Sequence, residues 1–290
     1  MATRRALTDI AGGNATSPTA VRYCPLMTRI LVLAPFPLDP DQLALRQKQL
    51  DAAPLPDGVV VDFRPTKAAP ANYVSHHDYA LADLSLLESG LQAQADGYDA
   101  VCIDTVSDSG VSALRSMLDI PVVGPGRSQY VIACMLGRRF GIVTMWKQWF
   151  PIYHKVLDEI GLADRCAGIR SIDVAPDNRT LMAGKDHALP LLLEAAQALV
   201  DEDGADVICL GSTTMHEAHR FLQDNLDVPV INPGPLSYFI AEALADLGLT
   251  HSPAAYPPPQ VPKPGMIHAM LDAAAAAEAG SDANAGGGDR

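Results

Sequence analysis

The sequence lacks the features that mark several classes of protein. No apolar run approaches the roughly 20 residues that cross a bilayer, and no apolar segment follows the two early arginines in residues 1–26. Its five cysteines include no CxxC pair, which argues against a disulfide framework or a zinc knuckle. We therefore expect a protein of the reducing cytoplasm without a membrane partner.

Basic side chains are also scarce, with 21 Lys and Arg against 34 Asp and Glu and a formal net charge of −13. This charge has the wrong sign for neutralising phosphates, so nucleic acid is not expected as a partner. A length of 290 residues with 48% hydrophobic content instead predicts roughly two globular domains, each with its own core.

Strand-length apolar runs alternate with helix-length segments along residues 28–272. The apolar runs include Ala100–Ile103 and Val207–Leu210, and such alternation is typical of α/β folds with largely parallel sheets. Residues 1–26 are aperiodic, and residues 273–290 are rich in Ala, Gly and Asp with little to bury. We predict that these two ends are disordered.

The interior of the chain contains a duplication. Residues 97–105, GYDAVCIDT, match residues 204–212, GADVICLGS. Further along, LDIPVVGPG at residues 118–126 matches LDVPVINPG at residues 226–234. The repeated unit is too long for a solenoid, so we infer two pseudo-symmetric three-layer α/β lobes with mainly parallel sheets and an active-site cleft between them.

Each loop that follows a duplicated strand carries hydroxyl side chains. Ligands of parallel sheets lie beyond the carboxyl ends of the strands, so the loops beginning at Thr105 and Ser212 should face each other across one cleft. Small hydroxyl residues at a helix start are commonly N-caps. Two facing loops with free backbone N–H groups also suit a substrate with one or two carboxylates. The hydroxyl residues are Thr105, Ser107, Ser109, Ser212, Thr213 and Thr214.

The matched segments resemble a known family. YDAVCIDTVSDSG and LDIPVVGPG, together with ADVICLGSTTM and DVPVINPG, are similar to the aspartate/glutamate/hydantoin racemase superfamily, most closely its hydantoin-racemase branch. The resemblance covers about residues 28–272 and implies a two-lobed, cofactor-independent enzyme that moves a proton next to a carboxylate or imide carbonyl of a small molecule. It also implies a homo-oligomer, with residues 27–124 plus 232–272 in one lobe and 125–231 in the other.

The sequence departs from the family at two positions. Family members usually carry a cysteine in each loop, and the two thiols remove and return a proton on opposite faces of the substrate carbon. The aligned positions here are Thr105 and Ser212, whose hydroxyls need a neighbouring base. Two-thiol racemisation is therefore not expected.

Two other cysteines recur in both halves of the chain. Cys102 and Cys209 stand three residues before the loop positions, and a shifted alignment would make them the family's thiols. Because they lie inside apolar strands, we expect them instead to be buried and inert.

Two residues near the loops are candidate acids or bases. Asp108 follows Thr105 by three positions and can serve as a general base or favour the first turn of a helix. His216 follows the second loop, and histidine ordinarily titrates near neutral pH. His216, Glu217 and His219 lie close together on a helix, but their spacing matches no known metal motif, so we predict no metal there. The resemblance implies that no cofactor is needed either.

Further side chains are predicted to contact the substrate. A cation can pair with a carboxylate, and an aromatic face suits a planar ligand, although salt bridges and core packing are the ordinary roles of such residues. Asp104 is unusual because it ends an apolar strand, where a carboxyl group needs a partner or a function. The predicted substrate-binding residues are Ser107, Thr213, Thr214, Arg127, Tyr130, Trp146, Lys147 and His77.

The combined pattern predicts an isomerase or lyase that acts on a small carboxylate or cyclic imide. The loop hydroxyls would hold the anion of an enolate-like intermediate, and Asp108 or His216 would move the proton. Two alternatives stay open. One is a hydrolase with Thr105 or Ser212 as nucleophile, although no GxSxG motif is present. The other is a carboxylate-binding protein without turnover.

Overall fold

Two four-stranded parallel sheets form the framework of the protein in a computed structural model, which describes residues 27–175 and 185–285. The first sheet has the strand order β2-β1-β3-β4, and the second has the order β6-β5-β7-β8. The first contains β1 (Thr28–Ala34), β2 (Val59–Pro65), β3 (Ala100–Ile103) and β4 (Val122–Val123). The second contains β5 (Phe140–Thr144), β6 (Cys166–Ser171), β7 (Val207–Leu210) and β8 (Val230–Ile231).

The two sheets repeat one topology. In each, the second strand along the chain lies at one edge and the next two strands extend the sheet on the other side of the first strand. Every adjacent pair is parallel, and the register repeats as well, since Val101 faces Val122 in the first sheet and Ile208 faces Val230 in the second. The prediction of two similar α/β lobes with parallel sheets is confirmed. We call the sheets and their covering helices the first and second lobes.

Helices connect the strands and cover both faces of each sheet. Asp39 and Ser75 begin the first two helices through capping boxes, in which each side chain accepts a backbone N–H bond from three residues ahead. The helices are α1 (Pro40–Gln47), α2 (His76–Gly90), α3 (Val111–Arg115), α4 (Pro125–Leu136), α5 (Phe150–Ile160), α6 (Lys185–Asp201), α7 (His216–Asn225), α8 (Pro233–Asp246) and α9 (Pro264–Ala285). Within the residues described, no helix combines the length and apolarity that a membrane crossing requires.

The duplicated cysteines lie in the sheet cores. Cys102 packs with Tyr238 of α8 on one face of the first sheet, and Cys209 packs with Tyr130 of α4 on the equivalent face of the second. Burial raises the pKa of Cys102 to about 12 and raises the pKa of Cys209 well above its ordinary value. The expectation that both thiols are buried is confirmed, and neither forms a thiolate near neutral pH.

The lobes meet through their duplicated helices. Helix α4 packs on β7 of the second sheet, α8 packs on β1 and β3 of the first sheet, and the two helices also pack against each other. Each begins with a proline at its first position, Pro125 in α4 and Pro233 in α8, where the missing N–H costs nothing. Their contact holds the carboxyl ends of the two sheets beside one another.

The predicted C-terminal tail is wrong over residues 273–285, which belong to α9. Alanine has the highest intrinsic helix propensity, so the alanine run continues a helix that is already docked. The docking contacts lie at its start, where Leu271 is buried and His268 Nδ1 lies 2.6 Å from the Glu88 carboxylate of α2. The predicted N-terminal tail, residues 1–26, and residues 286–290 lie outside the described part of the chain.

Asp206→Asn is expected to cost stability at neutral pH and little in acid. The carboxylate accepts backbone N–H bonds from Arg138 at 2.9 Å and Arg139 at 3.0 Å. Although burial opposes them, these bonds lower the pKa of Asp206. A folded pKa below the unfolded value means that the stabilisation is present above about pH 4 and is lost as the pH falls through the lowered folded pKa.

The variant should lose about 1–2 kcal/mol at pH 7, measured by urea unfolding, and less at pH 3. Asp224→Asn is the matched control, because Asp224 is exposed and pairs only with Arg220 at 3.8 Å among the ion pairs of the described residues. An equal loss at both pH values would contradict this account of Asp206.

Candidate active site

A cavity of about 110 Å³ lies between the lobes at the carboxyl ends of the central strands. Its wall includes Asp104 and Thr105, which directly follow β3, and Gly211 and Ser212, which directly follow β7. The structure therefore places Thr105 and Ser212 in the wall of the same cavity, as the duplication predicts. A cavity of this size has room for about seven to ten non-hydrogen atoms.

The hydroxyls of the first loop form a chain that leads away from the cavity. Thr105 Oγ1 lies 3.2 Å from Ser107 Oγ, which donates to Ser109 Oγ at 3.0 Å. Thr105 is partly exposed, whereas Ser107 and Ser109 are buried. Ser107 therefore supports the loop through its hydrogen bonds, and Thr105 is the one of these three hydroxyl residues that lines the cavity.

The second loop joins the two lobes as well as lining the cavity. Ser212 Oγ accepts the N–H of Thr214 at 3.2 Å and lies 2.8 Å from Thr214 Oγ1, so Ser212 is an N-cap of the short 3-10 helix that follows. Thr213 Oγ1 donates to the carbonyl oxygen of Asp104 at 3.1 Å. This bond holds the second loop against the end of β3.

A buried ion pair adjoins the first loop. Arg46 Nε of α1 lies 2.8 Å from Asp104 Oδ2, and Gln49 Nε2 donates to both carboxylate oxygens at 3.2 Å. The carboxyl group is fully buried, and burial raises the pKa of Asp104 against the opposing charge of Arg46. Asp104 therefore has the partner that its position in an apolar strand requires. Arg46 and Gln49 were not predicted. The sequence indicated only that Asp104, at the end of an apolar strand, needs a polar or charged partner.

The equivalent position in the second lobe carries no charge. Gly211 stands where Asp104 stands in the duplication, and its carbonyl accepts the hydroxyl of Tyr153 at 2.9 Å. Tyr153 also lies 2.6 Å from Thr144 Oγ1. A Cβ at position 211 would collide with Thr144 and Tyr153, so glycine is required there. The cavity consequently has one wall with an ion pair and one neutral wall.

Asp108 and Arg127 do not belong to the cavity, which corrects two of the predicted roles. Asp108 has a left-handed backbone with φ of 51°. Its carboxylate accepts the N–H groups of Gly126 and Arg127 at 2.8 Å and the Arg127 Nε–H at 2.9 Å. Arg127 also pairs with Glu159 at 3.1 Å. Asp108 therefore fastens the first loop to the start of α4, away from the cavity wall.

Four other predicted contacts also lie off the cavity wall. Tyr130 is buried in the second lobe and stacks on Phe140 at 5.2 Å, so it is a core residue. Lys147 pairs with Asp173 at 2.7 Å on the surface. Trp146 packs edge-on against Trp149 and His77 is exposed at the start of α2, and neither lines the cavity.

Aromatic residues from loops outside the duplication form the apolar part of the wall instead. Phe36 and Tyr73 stack with ring centroids 5.3 Å apart. Trp149 lines the second-lobe side, and its Nε1–H donates to Asn72 Oδ1 of the first lobe at 2.8 Å. The prediction of Trp146 chose the correct segment, since Trp149 of the same segment lines the cavity. No sequence feature predicted Asn72 or Tyr73.

His216 does not line the cavity wall either, although it adjoins the wall along the chain. It begins α7 directly after Met215, a residue of the cavity wall, and its charge opposes the effect of burial on the pKa of Asp104. In the part of the chain that the structure describes, no three His, Cys, Asp or Glu side chains are grouped as metal ligands would be. His219 bonds instead to the carbonyl of Val230 at 3.0 Å.

Asp108→Asn tests the structural role of this residue. The substitution keeps a residue that tolerates the left-handed backbone but removes a carboxylate with three donors, so unfolding should become easier by about 2–4 kcal/mol. Urea unfolding of this variant and of the exposed control Asp119→Asn measures the effect. A loss of turnover in the folded variant without a loss of stability would instead assign Asp108 to catalysis.

The family comparison agrees with this geometry. The family model described as Asp/Glu/Hydantoin racemase matches residues 45–237. This chain belongs to the Asp/Glu/Hydantoin racemase family. The resemblance that the duplicated loops suggested is therefore confirmed, and the matched range contains both loops that follow β3 and β7.

Individual members of the racemase family extend the match over most of the chain. A hydantoin racemase from Paenarthrobacter aurescens is 31% identical over 231 residues, which cover 78% of this chain and 94% of the relative. The solved structure of an allantoin racemase from Klebsiella pneumoniae superposes with a TM-score of 0.73 at 27% identity and covers 81% of this chain and 95% of that one.

The fold also extends to a lyase. A mutant of arylmalonate decarboxylase in its liganded form has a TM-score of 0.54 at 18% identity and covers 79% of this chain and 97% of that one. At this identity the likeness concerns the fold alone. The racemase-family scaffold thus carries isomerases and, in a related fold, a decarboxylase.

Proposed function

We propose that this racemase-family protein is a cofactor-independent isomerase or lyase that acts on a small carboxylate or cyclic imide. One observation carries the proposal: Thr105 and Ser212, the two hydroxyls at duplicated positions, line one cavity between the lobes. The named activities of the relatives, hydantoin racemase and allantoin racemase, favour the cyclic imide or ureide class.

The loops supply hydrogen-bond donors for an enolate-like intermediate. Removing a proton, or carbon dioxide, from a carbon next to a carbonyl places negative charge on the carbonyl oxygen. The hydroxyls of Thr105 and Ser212 line the cavity and would donate to such an oxygen, and fixed donors stabilise a developing charge more than they stabilise the neutral substrate.

We assign the proton transfer to His216. Of the four predicted catalytic residues, Thr105 and Ser212 lack the acidity of thiols. Asp108 is held by Gly126 and Arg127. This leaves His216 as the group that can move the proton. Histidine accepts and returns protons near neutral pH without a cofactor. His216→Asn should lower turnover by at least about 100-fold in a variant that still folds, with urea unfolding as the check on folding.

Proton exchange in D₂O tests the proposed reaction. The protein would be incubated with a panel of 5-substituted hydantoins, amino acids and substituted malonates, and each product would be examined by mass spectrometry and chiral chromatography. Deuterium at the α-carbon or loss of carbon dioxide supports the isomerase or lyase. Release of an unlabelled ring-opened acid would instead show a hydrolase, and thermal stabilisation without any product would show a binding protein.

A further inference from the structure

The charges on the cavity wall are confined to one side. Among the wall residues that the structure describes, Arg46 and Asp104 are the charged ones, and both belong to the first lobe. The opposite wall consists of the neutral Gly211 region and the apolar side chains Met145, Trp149 and Ile152. The two lobes, which share one topology, therefore differ in charge where a substrate would bind.

Asp104 contacts only some of the N–H groups of the Arg46 guanidinium. Arginine carries five N–H donors. Nε faces Asp104 Oδ2 at 2.8 Å and Nη2 faces the Asp104 carbonyl at 3.5 Å, whereas no acceptor contacts Nη1 among residues 27–175 and 185–285. The residue is 4% exposed and lines the cavity, so its remaining donors have little access to bulk water. An oxygen of a ligand in the cavity would satisfy the donors that have no acceptor.

The surroundings hold Arg46 in this orientation. Gln49 donates to both Asp104 oxygens, and the Tyr238 hydroxyl donates to Gln49 Oε1 at 3.3 Å, which extends the network from α1 to α8. Thr213 fixes the Asp104 carbonyl from the other lobe. A guanidinium anchored on one edge presents its other edge to the cavity with little freedom to turn away.

The ion pair also explains how the site can favour an intermediate over a charged substrate. Asp104 neutralises Arg46, so the pair adds no net charge that would attract every small anion. The N–H groups that face the cavity nevertheless interact more strongly with an oxygen as that oxygen becomes negative. Such an arrangement stabilises charge that develops during a reaction.

We propose that Arg46, positioned by Asp104 and Gln49, donates hydrogen bonds to the substrate oxygen that becomes negative, and that this oxygen lies against the first lobe. The substituent on the reacting carbon then points to Met145, Trp149 and Ile152 of the second lobe. The role in turnover rests on the proposed function, whereas the binding of a planar anion by Arg46 does not.

Two ring compounds test the site directly. Barbiturate is a planar anion at neutral pH with its charge on carbonyl oxygens, and dihydrouracil is a neutral ring of similar size. Isothermal titration would measure both with the parent chain and with the double variant Arg46→Met/Asp104→Asn, which removes both charges together and avoids an unpaired buried charge. Arg29→Met/Asp62→Asn is the matched control, because Arg29 and Asp62 form a partly exposed pair at 3.2 Å away from the cavity wall.

The parent and the control should bind barbiturate more tightly than dihydrouracil. The Arg46/Asp104 variant should lose about 10- to 100-fold in barbiturate affinity with dihydrouracil unchanged. Equal affinity of parent and variant for barbiturate, or no binding of barbiturate by the parent, would overturn the proposal.

Turnover separates this proposal from the proposed function. If the parent exchanges α-protons, the Arg46/Asp104 variant should lose kcat with little change in KM, as expected for a contact made mainly in the transition state. A variant with parental kcat would overturn the role of Arg46 while the proposed function stands. Barbiturate binding that depends on Arg46 without any exchange by the parent would support the anion site and contradict the proposed function.

Discussion

Replacing Thr105 and Ser212 together by cysteine is expected to raise the racemisation of a 5-substituted hydantoin by at least about 100-fold over the parent chain. Both side chains line the one cavity between the lobes, at the positions where the resemblance to hydantoin racemases places the two thiols. A thiol is deprotonated far more readily than a hydroxyl, so each new cysteine can exchange a proton with the substrate carbon on its own face.

The single variants Thr105→Cys and Ser212→Cys are the matched controls. One thiol can remove a proton and return a deuteron to the same face, so each single variant should exchange deuterium while racemising slowly. The double variant should do both, as measured by polarimetry in H₂O and mass spectrometry in D₂O. A double variant that racemises no faster than the singles would show that the two positions do not reach opposite faces of one carbon.

Arg46→Met is expected to destabilise the fold by about 3–5 kcal/mol, because it leaves the Asp104 carboxylate buried without its cation. Asp104 has a fully buried side chain, and Gln49 donates to both of its carboxylate oxygens at 3.2 Å. Adding Asp104→Asn should recover most of the loss and bring the double variant within about 1 kcal/mol of the parent.

Urea unfolding at pH 7 measures this cycle, and the non-additivity is its main readout. The partly exposed Arg29/Asp62 pair provides the comparison, since breaking it should cost about 1 kcal/mol or less. Additive losses in the Arg46/Asp104 cycle would mean that the carboxylate and the guanidinium do not depend on each other in the folded state.

The parts of the fold that are duplicated could be predicted from the sequence. Both copies of the strand, loop and Pro-Gly segment repeat the same hydrophobic pattern, so one inference about Ala100–Ile103 applied equally to Val207–Leu210 and located Thr105 and Ser212 at equivalent strand ends. The duplicated segments also predicted that the strands are parallel, because each strand is separated from the next by a short loop and a helix.

The unduplicated parts of the cavity were not predictable in the same way. Asn72, Tyr73 and Arg46 come from loops and a helix that have no matching copy, and their approach to the cavity depends on how those segments fold back over the first sheet. Asp108 shows the converse difficulty. Its position after Thr105 suggested chemistry, whereas its donors are Gly126 and Arg127, which only the folded chain brings near.

The most direct test of the central claim compares the parent chain with Thr105→Val/Ser212→Ala in D₂O, with the α-deuterium content of a hydantoin or malonate substrate as the readout. The account predicts that the variant stays folded, with about 1 kcal/mol lost through the Ser212 N-cap, and loses at least about 100-fold in the rate of deuterium incorporation, because the donors on both walls of the shared cavity are gone. Equal rates in the two proteins would contradict the claim that these two hydroxyls form the active site.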